Sequence, residues 1–135
     1  MGTKTGLAAQ EAIFNRLINQ GVKALSALSG AIYKQNRPKD SKLEDIVVRT
    51  LTMNADQVQE GIINVNIHVP NQNLVNDDTQ PNLVRFDIIT SIVVSTLSDY
   101  SGYDYWFDID SPGVPERDGI NWFVNVRIKF FSLRN

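Results

Sequence analysis

The sequence predicts an α+β domain, an antiparallel sheet with helices packed on one side, in the order α-β-β-α-β-β. Three observations carry this reading. Apolar residues recur every three to four positions near the start and again from Leu83, residues 61–69 alternate apolar and polar, and two aromatic-rich alternating segments close the chain. A chain of 135 residues suits one domain around one core.

Over residues 7–18, Ala9, Ile13 and Leu17 form a helical stripe with Phe14 and Ile18, which places Gln10, Glu11, Asn15 and Asn19 outside. Gly21 ends or interrupts this helix; Val22, Leu25 and Leu28 keep helical spacing for about two more turns, and Gly30 marks a stop. Residues 31–34 then form a short extended piece in which Ile32 and Tyr33 touch the sheet edge. Residues 35–45 are charged and contain Pro38, so they read as a flexible, partner-facing loop, and the N-terminus is expected to be mobile.

Residues 46–53 are rich in branched side chains and read as a strand. In 61–69, Ile63, Val65, Ile67 and Val69 face the core while Asn64, Asn66 and His68 face outward. No crossover helix fits in the polar link 54–60, which makes antiparallel pairing the economical topology. Residues 83–100 are read as the central helix, about 27 Å long, with a stripe of Leu83, Phe86, Ile89, Val93 and Leu97 widened by Ile88 and Ile92. Its β-branched content is high, so packing has to stabilise what propensity does not. Tyr103, Tyr105, Phe107 and Ile109 then alternate with Asp104, Trp106, Asp108 and Asp110, the former expected toward the helices. Pro112, Gly113, Pro115 and Gly119 supply turn material. In the last strand, 120–133, Trp122, Val124, Val126, Ile128 and Phe130 alternate with Phe123, Asn125, Arg127, Lys129 and Phe131. Its ends are apolar on both faces and require cover from the N-terminal segment or from another subunit.

Thirteen Lys and Arg against fifteen Asp and Glu leave a net charge of −2, which argues against a broad nucleic-acid-binding face or a polybasic membrane anchor. With no cysteine, disulfide and thiolate chemistry are excluded. No apolar run of signal-peptide or membrane-spanning length is present, so no membrane association is expected. His68 is the only imidazole, and neither a phosphate loop nor a dinucleotide fingerprint nor a nucleophile elbow occurs. The serines lack a positioned base. No catalytic residue, cofactor or metal site is therefore assigned.

Asp104, Asp108 and Asp110 are the one acidic constellation, with Glu116 and Asp118 in the following connection. Three readings stand: a solvated negative face, an assembly or lumen surface, and a Mg²⁺ site for nuclease or resolvase chemistry using Asp108, Asp110 and Glu116. On a regular strand Asp104 and Asp108 stand about 13 Å apart, too far to share an ion. Trp106 and Trp122 are each core, interface or ligand-stacking residues. Tyr33, Arg37, Trp106, Trp122 and Phe131 form the candidate interface set, because two-faced strand ends, amide-rich faces and a charged arm suit a ring in which neighbours supply cover.

The succession of first helix, Gly30-Ala31-Ile32-Tyr33 followed by Pro38, strands 46–53 and 61–69, helix 83–97 and closing aromatic hairpin resembles the tail-completion or tail-terminator (minor tail protein U-like) proteins of long-tailed bacteriophages. The sequence departs from their pattern where Leu43-Glu44-Asp45 stands in place of a proline before the first long strand, and in its acidic hairpin. The resemblance implies a virion structural protein without catalytic residues that forms a ring, often a hexamer, capping the tail tube and joining it to the head connector, while DNA passes without specific binding. It implies a place in the virion tail or head–tail junction, and in the bacterial host cytoplasm before assembly. The alternatives are the small Mg²⁺-dependent nuclease or resolvase and a protein-binding module that uses its sheet edge.

Overall fold

A computed structural model describes residues 2–134. Helix α1 (Gly6–Asn19) starts where the Thr5 hydroxyl accepts the Ala8 N–H at 3.0 Å, and it buries Ala9, Ile13 and Leu17. Gln10, expected outside, is buried as well. Its Oε1 accepts the Thr50 N–H at 3.0 Å, beside a break in strand register between Thr50 and Thr52. A polar side chain thus sits in the core by satisfying a backbone donor at a bulge.

Gly21 turns the chain with φ +69°, the left-handed conformation that suits glycine, into the short helix α2 (Val22–Ser26). This helix stops at Ala27, earlier than Gly30, and Leu25 is exposed. Gly30 serves a different purpose: a Cβ there would lie 2.0 Å from Asp45 Oδ1 and 2.3 Å from the Glu44 carbonyl. Only a bare backbone fits beside the start of the next long strand.

Strands β1 (Ile32–Lys34), β2 (Asp45–Met53) and β3 (Val58–His68) follow, then α3 (Leu83–Leu97), β4 (Tyr100–Ser101), β5 (Tyr105–Ser111), β6 (Pro115–Asp118) and β7 (Asn121–Leu133). The sheet order is β1-β2-β3-β7-β5-β4, with β6 also on β7. The antiparallel expectation holds for every pairing except β1 with β2, which is parallel, so the sheet is mixed. The loop after β1 carries the chain back to the end from which it started, and β2 therefore runs in the same direction. The expected order also lacked β1, β4 and β6 as strands.

Helix α3 ends at Leu97, short of the expected Tyr100, because Asp99 turns with φ +50° and Tyr100 joins β4, stacking on Phe107 at 4.6 Å between ring centroids. Of its predicted stripe, Phe86, Ile89, Val93 and Leu97 are buried, whereas Leu83 and Ile88 are exposed. Ile63, Val65 and Ile67 of β3 and Val124, Val126, Ile128 and Phe130 of β7 meet these residues and the stripe of α1 in one core. The helices lie on one face of the sheet, and no helix among the described residues is long and apolar enough to cross a membrane.

Candidate functional site

The opposite sheet face has no covering layer. Strand register sets its side chains in rows: Tyr33, Val47, Asn66 and Asn125; Arg49, Asn64 and Arg127; Ile62, Lys129 and Asp108; Glu60, Phe131 and Trp106. Trp106 and Phe131 stack at 5.6 Å between centroids, and Lys129 Nζ lies 3.5 Å from a Glu60 carboxylate oxygen. The side-chain oxygens of Asn64, Asn66 and Asn125 are shielded from solvent and accept no hydrogen bond from the described residues.

At one end of this face the β1–β2 loop closes over Asp45, which has no exposed surface. Asp45 Oδ2 accepts from Ser41 Oγ at 2.6 Å and from Arg37 at 3.2 Å, while Oδ1 accepts the Ala31 N–H at 3.2 Å. His68 stands opposite Asp45 across the β2–β3 ladder. Burial, reinforced by the positive charge of Arg37, holds the imidazole down to about 4, so it is neutral at pH 7. Arg37, Ser41, His68, Asn71 and Trp122 border an open polar cavity of about 400 Å³. Ser41 donates to the carboxylate rather than to the imidazole, so these three residues do not form a nucleophile–base relay.

A second ion pair fixes the same end from the helical side. Arg85 of α3 contacts both Glu44 oxygens, at 2.7 and 2.8 Å, and donates to the Ser26 carbonyl at 2.7 Å. The Arg85 hydrogen bond is the main reason the Glu44 carboxyl is held below its ordinary value, against the opposing effect of burial.

The candidate interface residues are dispersed. Tyr33 sits at the β1 edge of the open face, Arg37 at its end in the Asp45 network, and the Trp106–Phe131 stack near the opposite edge. Trp122 instead turns to the helical side, packs against the core and donates its indole N–H to the Thr79 carbonyl at 2.9 Å. The acidic residues do not act as one group. Asp104 pairs with Lys4 at 2.8 Å; Asp108 accepts the Asp99 and Ile109 N–H groups, each at 2.8 Å; Asp110 is exposed where β5 breaks register with β7. Glu116 lies across from Phe123 on β6. Among the described residues no three His, Asp or Glu side chains come close enough together to hold a metal ion.

Sequence reasoning missed Asp45, Glu44 and Arg85, which carried no motif, and the apolar pair Leu74 and Val75 inside a polar run. The last pair was visible as two adjacent branched residues with amides before and after them. No protein-family model matches the chain, and no curated protein matches it.

Proposed function

We propose that this protein is a structural assembly subunit, and that its assembly is the ring of a phage tail-completion or head–tail joining protein that caps the tail tube. The observation that carries the structural reading is the sheet face that no helix covers, where Trp106 and Phe131 stack with one side open. A neighbouring molecule laid over that face gives the Trp106–Phe131 stack the apolar cover it lacks in the subunit. The phage assignment rests on the order of elements and on the closing aromatic hairpin. Self, the tail tube and the head connector are its proposed partners, with DNA passing through the ring unbound.

The test is native mass spectrometry with sedimentation over a wide concentration range, followed by negative-stain imaging. A closed oligomer, hexameric by the resemblance, is expected. A particle that remains monomeric at every concentration, alone and with tail-tube protein, removes the reading.

A further inference from the structure

Residues 72–80 form a small hydrogen-bonded finger. The Gln72 N–H donates to the Gln80 carbonyl at 2.9 Å, and Leu74 and Asp77 exchange backbone hydrogen bonds at 3.1 and 3.2 Å. Asn76 takes the left-handed conformation with φ +61°, which lets the tip reverse. The base is pinned to the sheet end because Trp122 donates to Thr79, and Asn71 donates to Ile120. This ordered device presents two apolar side chains to solvent: Val75 is 91% exposed and Leu74 45%.

The same molecule carries a matching hollow. Ile18, Ala24, Ala27, Leu28 and Ile32 line an open apolar groove of about 640 Å³ where α1 and α2 meet the β1 edge. Lys23 lines it, and Asp78 stands exposed in the finger three residues from Val75; neither forms an ion pair among the described residues. Apolar knob meets apolar hole, and acid meets base.

Finger and groove occupy the same level of the sheet on different sides. One row of partners runs Ile32, Ile46, Ile67, Val124 and Pro115, from the groove strand β1 to β6. The finger is tied to Trp122, two residues from Val124 on β7, three strand spacings or roughly 14 Å from β1. No residue of the finger lines the groove of its own subunit. Complementary patches displaced sideways with little offset along the strands suit a head-to-tail contact that closes by rotation about an axis along the strands.

We propose that Leu74 and Val75 of one subunit seat in the Ile18–Ala24–Ile32 groove of the next copy of this chain, with Asp78 facing Lys23 across the contact. This rests on the ring reading above and adds a second point of contact between neighbouring copies to the one over the open sheet face.

The chain has no cysteine, so engineered thiols report on this contact without background. Val75→Cys and Ala24→Cys proteins are made separately, mixed, assembled and oxidised. The mixture is expected to yield a covalent dimer at least tenfold above either variant alone, and Val75→Cys mixed with Ser91→Cys is expected to yield none. In parallel, Asp78→Lys is expected to weaken assembly about tenfold and Lys23→Glu to restore it when added. If wild-type protein assembles but the mixed thiols do not link, this contact is wrong while the ring stands. Linking of Val75→Cys to itself, which means a two-fold contact, also overturns it. If the wild type never assembles, the ring reading and this contact fall together.

Discussion

Strand β7 presents two surfaces of opposite character from one run of residues. Val124, Val126, Ile128 and Phe130 are buried under the helices, whereas Phe123, Asn125, Arg127, Lys129 and Phe131 lie half-open on the bare face. The covered set is uniformly apolar and packed, and its energy is internal to the subunit. The open set mixes aromatic, amide and charged groups, and it includes an asparagine oxygen without a donor. The same strand therefore stabilises the fold with one face and leaves a half-open surface on the other. Substitutions on the first face should act on folding, and substitutions on the second on association.

The largest effect is expected in the covered set. Phe130 is fully buried against Tyr105 and Phe107, and Phe130→Ala should lower unfolding free energy by about 3–5 kcal/mol through lost transfer energy and the cavity left behind. Urea denaturation of the monomer measures this. A loss below about 1 kcal/mol would show that the two faces are not energetically distinct.

At the boundary between the faces, Asp45 carries the loop closure. Asp45→Ala removes the acceptor for Ser41, Arg37 and the Ala31 N–H, and it leaves Arg37 partly buried without its partner. A loss of about 2–3 kcal/mol is expected, with faster hydrogen exchange at the Ala31 amide. Unchanged exchange there would mean that the carboxylate does not hold the loop.

His68, on the open face, sharpens the comparison through pH. The unfolded imidazole takes up a proton near 6.5, but the folded one resists until about 4, so the unfolded state binds more protons between those values. Stability should fall as pH drops through that window and be fully present above it. The contribution is on the order of 1–2 kcal/mol once solvent screening is discounted. His68→Asn should flatten the dependence of urea midpoint on pH between 4 and 6.5. Retention of the full slope in the variant would assign it to other groups.

The long elements were legible because periodicity repeats enough times to be read. Ile63, Val65 and Ile67 alternate over three cycles, and the stripe Phe86, Ile89, Val93 and Leu97 spans α3 despite its β-branched residues. The three-residue β1, two-residue β4 and four-residue β6 offer no such repetition, and their pairing is decided by where the chain returns. The parallel partner of β1 was illegible for that reason. Buried polar residues misled for another: Gln10 and Asp45 look external by type, yet each satisfies backbone donors that exist only after folding. Trp122 could be either core or interface until the Thr79 carbonyl supplied its indole with a partner. The acidic alternation from Asp104 to Asp110 suggested one surface, but a register break and the Lys4 ion pair separate its members.

The smallest effect on folding is expected where the open face is most apolar. Phe131 is half-buried and stacks on Trp106 without a layer above it, so truncation removes one flat contact and leaves no enclosed cavity. Phe131→Ala should cost at most about 1 kcal/mol in the monomer, several times less than Phe130→Ala one residue earlier. Its effect on association should be larger: an aromatic group that becomes fully desolvated at an interface centre contributes about 2 kcal/mol or more, roughly a thirtyfold change in assembly constant. Paired measurements of the urea midpoint and the sedimentation isotherm on both variants separate the two contributions. If Phe131→Ala destabilises the monomer as much as Phe130→Ala does, or leaves association untouched, the bare face is only a solvated sheet surface and association is driven elsewhere.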